Sequence, residues 1–293
     1  MTQQEPWTIG RLLSVTADYL KRHGSGSPRL DAELLLAHVC DCQRIELYTR
    51  YEQIVDDDTR GRFRELVKRR SEGAPVAYLL GRREFYSLNL VVTPDVLIPR
   101  PETEFAVIAV LDRLKARPAD ASPTKVIDIG TGSGAIAIAV AKHATNCEVT
   151  AVDLSASALA IARTNAEAHG LSERIRFIES DLLAGVPEEE RFDIVVSNPP
   201  YVGRSESEQL PREVKEYEPE LALFGGEVGD ETIGRLIPQA AERLTAGGWL
   251  IMELSPMIEP RVRKLLEADG HWQNLSVVKD LAQLARIIVA QRS

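Results

Sequence analysis

Cysteine is scarce. Cys40, Cys42 and Cys147 are too few for a disulfide framework. Cys40-Asp41-Cys42 lacks the two-residue spacer of a zinc half-site, and no second Cys/His pair follows it. Unbridged thiols suit a reducing compartment, and no metal is expected. Long apolar runs are missing too: none approaches the ~20 residues that cross a bilayer. The N-terminal MTQQEPWTIGRLL has no basic stretch followed by an apolar one, so no secretory signal is expected. Positive charge is also in deficit. Thirty-five Lys/Arg stand against 44 Asp/Glu, a net charge of −9, which counts against a general nucleic-acid binder. These absences point to a soluble cytoplasmic protein with no membrane contact and no direct nucleic-acid partner.

What is present is an ordinary globular mixture, 44% apolar and 27% charged over 293 residues. That is enough for one large domain or two modest ones. The first 75 or so residues read as helices. Ile9, Leu12, Leu13, Ala17 and Leu20 recur at helical spacing and stop at His23-Gly24. Leu30, Leu34, Leu35 and Val39 form a second stripe, and Ile45 to Ile54 a third, weaker one. Asp56-Asp57-Asp58 supplies a cap and first-turn acids for a fourth helix carrying Phe63, Leu66 and Val67. Residues 85–98 alternate like strands before Pro94, Pro99 and Pro101 interrupt them, so a β-hairpin connector is expected there. Glu102 to Leu114 returns to helical spacing, and Pro118 to Pro123 reads as a loop.

From Lys125 onward short apolar strands alternate with helices, which predicts a mostly parallel sheet covered on both faces. The expected organisation is a helical domain over 1–84, a connector over 85–98 and an α/β domain over 99–293. Charge divides unevenly between them. Residues 1–85 are net +1, and the remainder is net −10.

Two constellations carry chemistry. Asp128-Ile129-Gly130-Thr131-Gly132-Ser133-Gly134 follows a strand and opens a helix, and Asp153 ends the next strand. Glycines allow tight turning and close approach of a ligand, and a carboxylate at Asp153 suits a ribose diol. The loop alone fits NAD as well as S-adenosylmethionine. Asp128 favours the latter, because an acid suits the amino-acid end of that cofactor and would repel a pyrophosphate. Asp181 and Leu182 end the third strand, where Asp181 either takes an adenine amino group, with Leu182 packed on the ring, or caps a turn.

Ser197-Asn198-Pro199-Pro200-Tyr201 follows the fourth strand. Its composition suits a planar NH₂ group. The Asn198 carboxamide oxygen and the Pro199 carbonyl can each accept one N–H, the paired prolines restrict the backbone, and Tyr201 offers a flat face. An amide nitrogen is a poor nucleophile, so two fixed acceptors that orient it are what in-line methyl transfer requires.

The sequence resembles the HemK/PrmC family of protein-(glutamine-N5) methyltransferases. The residues that carry the likeness are the nucleoside loop with Asn198 to Tyr201, Gly73-Ala74-Pro75-Val76-Ala77-Tyr78, Gly81, Glu84-Phe85, Ile98-Pro99-Arg100-Pro101-Glu102-Thr103-Glu104, Tyr217-Glu218-Pro219, Ala222-Leu223 and Gly225-Gly226. The resemblance implies an α/β fold, namely a seven-stranded Rossmann-like class I methyltransferase domain behind a small helical substrate-recognition domain. It implies S-adenosylmethionine as cofactor, held by Gly130, Thr131, Gly132, Ser133, Gly134, Asp153, Asp181, Leu182 and Asn198. It implies catalysis by Asn198, Pro199 and Tyr201, with Pro200 completing the substrate grip. The implied substrate is the Gly-Gly-Gln glutamine of a class-1 peptide chain release factor, acted on by a monomer. Two departures stand out. Gln283 replaces a common glycine, which bears on a local turn, and Leu182 replaces an aromatic residue found in some members.

Other readings of the same residues are methylation of another protein glutamine, such as one in a ribosomal protein, and of an exocyclic base amino group. A cofactor sensor without catalysis would not need Asn198 or Tyr201, and a dehydrogenase would leave Asn198 to Tyr201 unused. Two further expectations concern charge. Residues 202–230 read as a long acidic connection able to meet a basic protein surface, and Arg100 is expected to pair with Glu102 or Glu104.

Overall fold

The computed structural model describes residues 6–118 and 122–293. Part of the loop expected from Pro118 to Pro123, residues 119–121, lies outside the described residues. The chain forms two compact units, Met1–Gly81 with Pro211–Tyr217, and Arg82–Leu210 with Glu218–Ser293.

The first unit is helical: α1 (Ile9–Arg22), α2 (Pro28–Val39), α3 (Arg44–Thr49), α4 (Asp57–Ser71) and α5 (Val76–Leu80). The Asp56 side chain caps α4 by accepting from the Thr59 N–H, as the acidic triplet predicts. Leu13, Leu20, Leu35, Leu36, Leu47 and Phe63 share its core. The third stripe departs from expectation. Helix α3 has only six residues, and Ile45 and Ile54 are 66% and 63% exposed. Such a short helix buries one side chain, Leu47, and periodicity cannot say which.

The second unit opens on a hairpin, β1 (Arg82–Phe85) and β2 (Leu88–Val91), which starts three residues earlier than the sequence suggests. Helix α6 (Glu104–Lys115) precedes β3 (Thr124–Ile129), α7 (Ala135–His143), β4 (Cys147–Asp153), α8 (Ala156–Ala168), β5 (Ile175–Glu179) and β6 (Phe192–Ser197). Short strands β7 (Val202–Gly203) and β8 (Phe224–Gly226) pair with each other. Then come β9 (Leu244–Glu253), β10 (Trp272–Lys279) and β11 (Ala285–Arg292). The seven-stranded sheet has the order β10-β11-β9-β6-β3-β4-β5, and β11 runs against its neighbours.

Neighbouring residues of these strands serve opposite faces. Val126, Ile194, Val196 and Ile251 join one apolar cluster, and Ile127, Val195, Leu250 and Met252 join the other. Burial on both sides is why consecutive residues such as Val126-Ile127, Ile194-Val195-Val196 and Leu250-Ile251-Met252 are all apolar. Strands β4 and β5 lie to one side of β3, and β6 and β9 to the other. The direction of winding therefore reverses between β3 and β6, and a ligand crevice forms outside their carboxyl ends at such a point.

Asn165 in α8, fully buried, fastens the hairpin to this frame. Its Oδ1 accepts from Val91 N (2.7 Å), and its Nδ2 donates to Val91 O (3.0 Å) and to Ser133 O (2.9 Å). Asn165→Ala removes the partner of three backbone groups, so urea denaturation should show a loss of about 2–4 kcal/mol. A loss below about 1 kcal/mol would mean that water replaces these bonds.

The segment expected as a long acidic loop is largely structured. It holds a 3-10 turn (Arg204–Gln209), helices Arg212–Tyr217 and Glu220–Leu223, and β8. Several of its acids are engaged within the fold. Glu213 pairs with Arg70 at 2.8 Å, Glu216 with Arg212 at 2.9 Å, and Glu218 with Arg100 at 2.5 Å. Glu218, not Glu102 or Glu104, is thus the partner of Arg100. Gln283 takes φ +63, so the turn keeps its left-handed residue without glycine.

Candidate active site at the sheet switch point

Strand β3 delivers the glycine loop. Gly130 N–H and Thr131 N–H both donate to Val152 O at 2.9 Å, tying the loop to the end of β4. Gly132 sits at φ +55, and a Cβ there would meet open space. The chain needs glycine at that point for its backbone conformation and leaves room for a ligand to approach. Gly134 answers a different demand. At φ +82 it caps α7, and a Cβ would come within 2.8 Å of Ile138 Cδ1.

A cavity of about 370 Å³ opens over this loop, within the usual size of small-molecule sites. It brings together Gly130, Thr131, Gly132, Ser133, Asp153, Asp181, Leu182, Asn198 and Pro200. Gly134, Pro199 and Tyr201 are outside its lining. Val96, Leu97, Thr103, Leu221, Phe224 and Arg235 complete the wall, and sequence reasoning missed them. The proline-rich turn and the Ala222-Leu223 segment were the signals available for two of these groups.

Asp153 ends β4 with both carboxylate oxygens engaged by backbone: Gly132 N–H donates to Oδ2 (2.8 Å) and Ser155 N–H to Oδ1 (2.9 Å). Each oxygen keeps a further lone pair. Burial raises its pKa against these bonds. Asp181 receives Arg235 at 2.6 Å on Oδ2, which leaves Oδ1 for a donor such as an adenine amino group. Leu182 adopts φ +53 and presents an aliphatic surface beside it. A purine fits between such aliphatic walls, and a ribose fits at Asp153. The donor set therefore suits an adenosyl cofactor.

Asp128 corrects the sequence reading. It does not line the cavity. Its buried Oδ2 accepts from Thr131 Oγ1 (2.6 Å) and from Ala137 N–H (3.2 Å), so it braces the loop from behind. Burial pushes its pKa up to about 7.

Strand β6 delivers the second half of the site. Ser197 donates to Ile129 O at 2.7 Å, locking β6 to β3 where the two loops diverge. Asn198 Nδ2 donates to Thr103 Oγ1 at 3.3 Å, which leaves Oδ1 as the acceptor. The Tyr201 ring packs on the apolar cluster containing Ile129 and Met252. Its hydroxyl donates to Glu253 Oε1 at 3.4 Å, and burial raises the phenol's pKa well above the ordinary value. Arg100 and buried Glu218 brace the approach, with Ile98 N–H donating to the same carboxylate at 3.4 Å. Among the described residues no cluster of metal-ligating side chains exists, and no helix is long and apolar enough to cross a membrane.

Comparison with known proteins agrees with this arrangement. Residues 11–81 match the PrmC N-terminal domain model, and residues 105–214 match the methyltransferase small domain model. A release factor glutamine methyltransferase from Rhodopirellula baltica is 50% identical, covering 98% of this chain and 97% of its own. The Koribacter versatilis protein of the same name is 41% identical over 97% of this chain and 99% of its own. The hMettl16 catalytic domain shares the fold, with TM-score 0.56, 18% identity, and coverage of 78% of this chain and 82% of that one. Full-length identity at this level settles the family: the chain belongs to the release factor glutamine methyltransferases.

Proposed function

We propose that this protein transfers a methyl group from S-adenosylmethionine to the side-chain amide nitrogen of the Gly-Gly-Gln glutamine in a class-1 peptide chain release factor. The observation that carries the reading is the juxtaposition of residues Gly130 to Ser133 and Asn198 around one cavity at the sheet's switch point. Gly132, Asp153, Asp181 and Leu182 hold the cofactor, which when bound supplies an electrophilic methyl on a sulfonium. Asn198 Oδ1 and the Pro199 carbonyl accept the two N–H bonds of the glutamine amide. They aim its lone pair and stabilise the positive charge that grows on nitrogen. With the cofactor bound, its methyl would pass from sulfur to this nitrogen, a C–N bond replacing the S–CH₃ bond, and the surplus N–H proton would leave to solvent afterwards. Tyr201 and Pro200 keep the acceptors rigid.

The same reading assigns residues 1–84 to substrate recognition, 85–98 to a connector and 99–293 to methyl transfer, in a cytoplasmic monomer. The match of residues 11–81 to the PrmC N-terminal domain supports the first assignment. Mass spectrometry of a release factor incubated with the protein and S-adenosylmethionine should show one added methyl on the Gly-Gly-Gln glutamine. An unmodified glutamine beside a methylated duplex DNA or RNA control would move the activity to nucleic acid.

Cofactor binding gives a separate test. Asp153→Asn replaces a charged acceptor by a neutral one and should raise the calorimetric Kd for S-adenosylmethionine about 10- to 100-fold. A Kd within twofold of wild type would remove Asp153 from the binding set.

A further inference from the structure

The turn that carries Asp181 into the cavity wall has a backbone its residues do not favour. Leu182 sits at φ +53, a left-handed geometry that residues with a Cβ avoid. Such strain persists only where the surroundings impose it. Ser180 closes the turn from within: its Oγ donates to Leu182 O at 2.8 Å and accepts from Gly185 N–H at 2.8 Å. The remaining restraint comes from the helix Glu231–Arg243. Arg235, Gln239 and Arg243 recur every four residues, so they share one face of it. Arg235 donates to Asp181 Oδ2 at 2.6 Å. Gln239 Oε1 accepts at 3.1 Å from the N–H of Leu183, the residue after the strained one. Buried Arg243 donates to Val186 O at 2.7 Å and to Glu188 O at 2.8 Å. One helix face thus grips the turn and the chain after it at three levels. Of the three side chains, Arg235 alone lines the cavity, beside Asp181 and Leu182.

We propose that Arg235 is a positioning residue that makes the site select an amino-bearing purine, by holding Asp181 with its Oδ1 toward the base. The proposal rests on the adenosyl-cofactor reading of the cavity. The Asp181 side chain is 47% exposed, and among the described residues no other group bonds its carboxylate. Released from Arg235, it would turn freely in water. Held by Arg235, it has Oδ2 occupied and Oδ1 left as the open acceptor. A carboxylate near neutral pH accepts and does not donate. Oδ1 therefore rewards a base that offers N–H at that edge and opposes one that offers a carbonyl oxygen. Adenine carries an amino group there, and hypoxanthine carries oxygen.

The surroundings sharpen this choice. Leu182 contributes an aliphatic surface with no side-chain polar group to compensate a mismatched edge. A site that leaves its own polar group unpaired against the wrong ligand discriminates strongly. The Arg235–Asp181 pair itself adds little to the stability of the fold, because both side chains are about half exposed and water screens them. Its effect falls on ligand choice, and Gln239 and Arg243 keep the turn in place without it.

The test is calorimetry on the full chain with two ligands, S-adenosylhomocysteine and S-inosylhomocysteine, the second carrying oxygen where adenine has its amino group. Wild type should bind the adenosyl compound about 10- to 100-fold more tightly, the worth of one hydrogen bond to a charged group. Arg235→Ala should cut that preference about tenfold, chiefly by raising the Kd of the adenosyl compound, with the thermal midpoint unchanged. Asp181→Ala should cut it as far. Adding Arg235→Ala to Asp181→Ala should then change the preference less than twofold, because the arginine acts through the acid. Three results overturn the inference while leaving the adenosyl reading intact: equal binding of the two compounds by wild type, a wild-type preference in Arg235→Ala, or an effect of Arg235→Ala that is the same with and without Asp181. A wild-type protein that binds neither compound overturns both.

Discussion

Asn198→Ala should abolish methylation of the release-factor glutamine at practical enzyme concentrations, lowering kcat by about 10²–10³-fold. That is the usual consequence of deleting one preorganised group at a centre of developing charge. The acceptor at Oδ1 would vanish, leaving only the Pro199 carbonyl to orient the amide. The lone pair could then rotate off the methyl-transfer axis, and one of the two groups that stabilise the growing charge on nitrogen would be gone. Structural damage should be small. Asn198 is only partly buried, and its one side-chain bond is the 3.3 Å contact to Thr103. Thermal midpoint should move little. Single-turnover kinetics with saturating cofactor isolates the chemical step. A rate within tenfold of wild type there would show that the proline carbonyl alone orients the amide, and the role given to Asn198 would be wrong.

The features that the sequence reveals and those it conceals differ in physical kind. The glycine loop, Asp153 and the Asn198–Tyr201 run are legible because their chemistry demands particular residue types within a few positions of each other. The strands are legible because β3, β6 and β9 bury residues on both faces and so carry short runs of consecutive apolar residues. The number of strands followed from the family resemblance, and their order in the sheet is written in no strand's own composition. Single polar residues in apolar surroundings are a different matter. Asn165 and Glu253 have no spacing that marks them, and only the fold shows that one holds Ser133 and the other holds Tyr201.

Long-range charge pairing was equally hidden. Glu213 meets Arg70 from 143 positions away, and Glu218 meets Arg100 from 118. In the sequence those acids stand beside other acids and look like a solvated run. In the structure they are counter-ions, so their contribution to any docking charge is reduced. Asp128 misled for a related reason. Its position before the glycines suits either direct ligand contact or bracing of the loop, and only the direction of its side chain toward Thr131 and Ala137 decides between them.

Backbone packing around the substrate loop leads to the second large effect. Gly225 in β8 faces the Pro200 carbonyl so closely that a Cβ would lie 2.4 Å from that oxygen and 2.5 Å from Gly229 O. Both neighbours are backbone and cannot swing aside. Gly225→Ala must therefore push Pro200, the third residue of the substrate loop, or break the β7–β8 pairing that joins Val202 to Phe224. Overpacking of this kind costs about 1–3 kcal/mol in stability. Displacement of reacting groups by a sizeable fraction of an ångström costs about 10²-fold in rate. The expected result is a folded protein with a slightly lowered thermal midpoint and a kcat reduced about 100-fold. Gly234→Ala is the matching control. It makes the same chemical change inside the helix Glu231–Arg243, where a Cβ meets nothing within 4 Å. Alanine there improves helix propensity by about 1 kcal/mol, so stability should rise and kcat should hold. If Gly225→Ala behaved like Gly234→Ala, the loop that grips the amide would have room to move, and its rigidity could not be what orients the nitrogen.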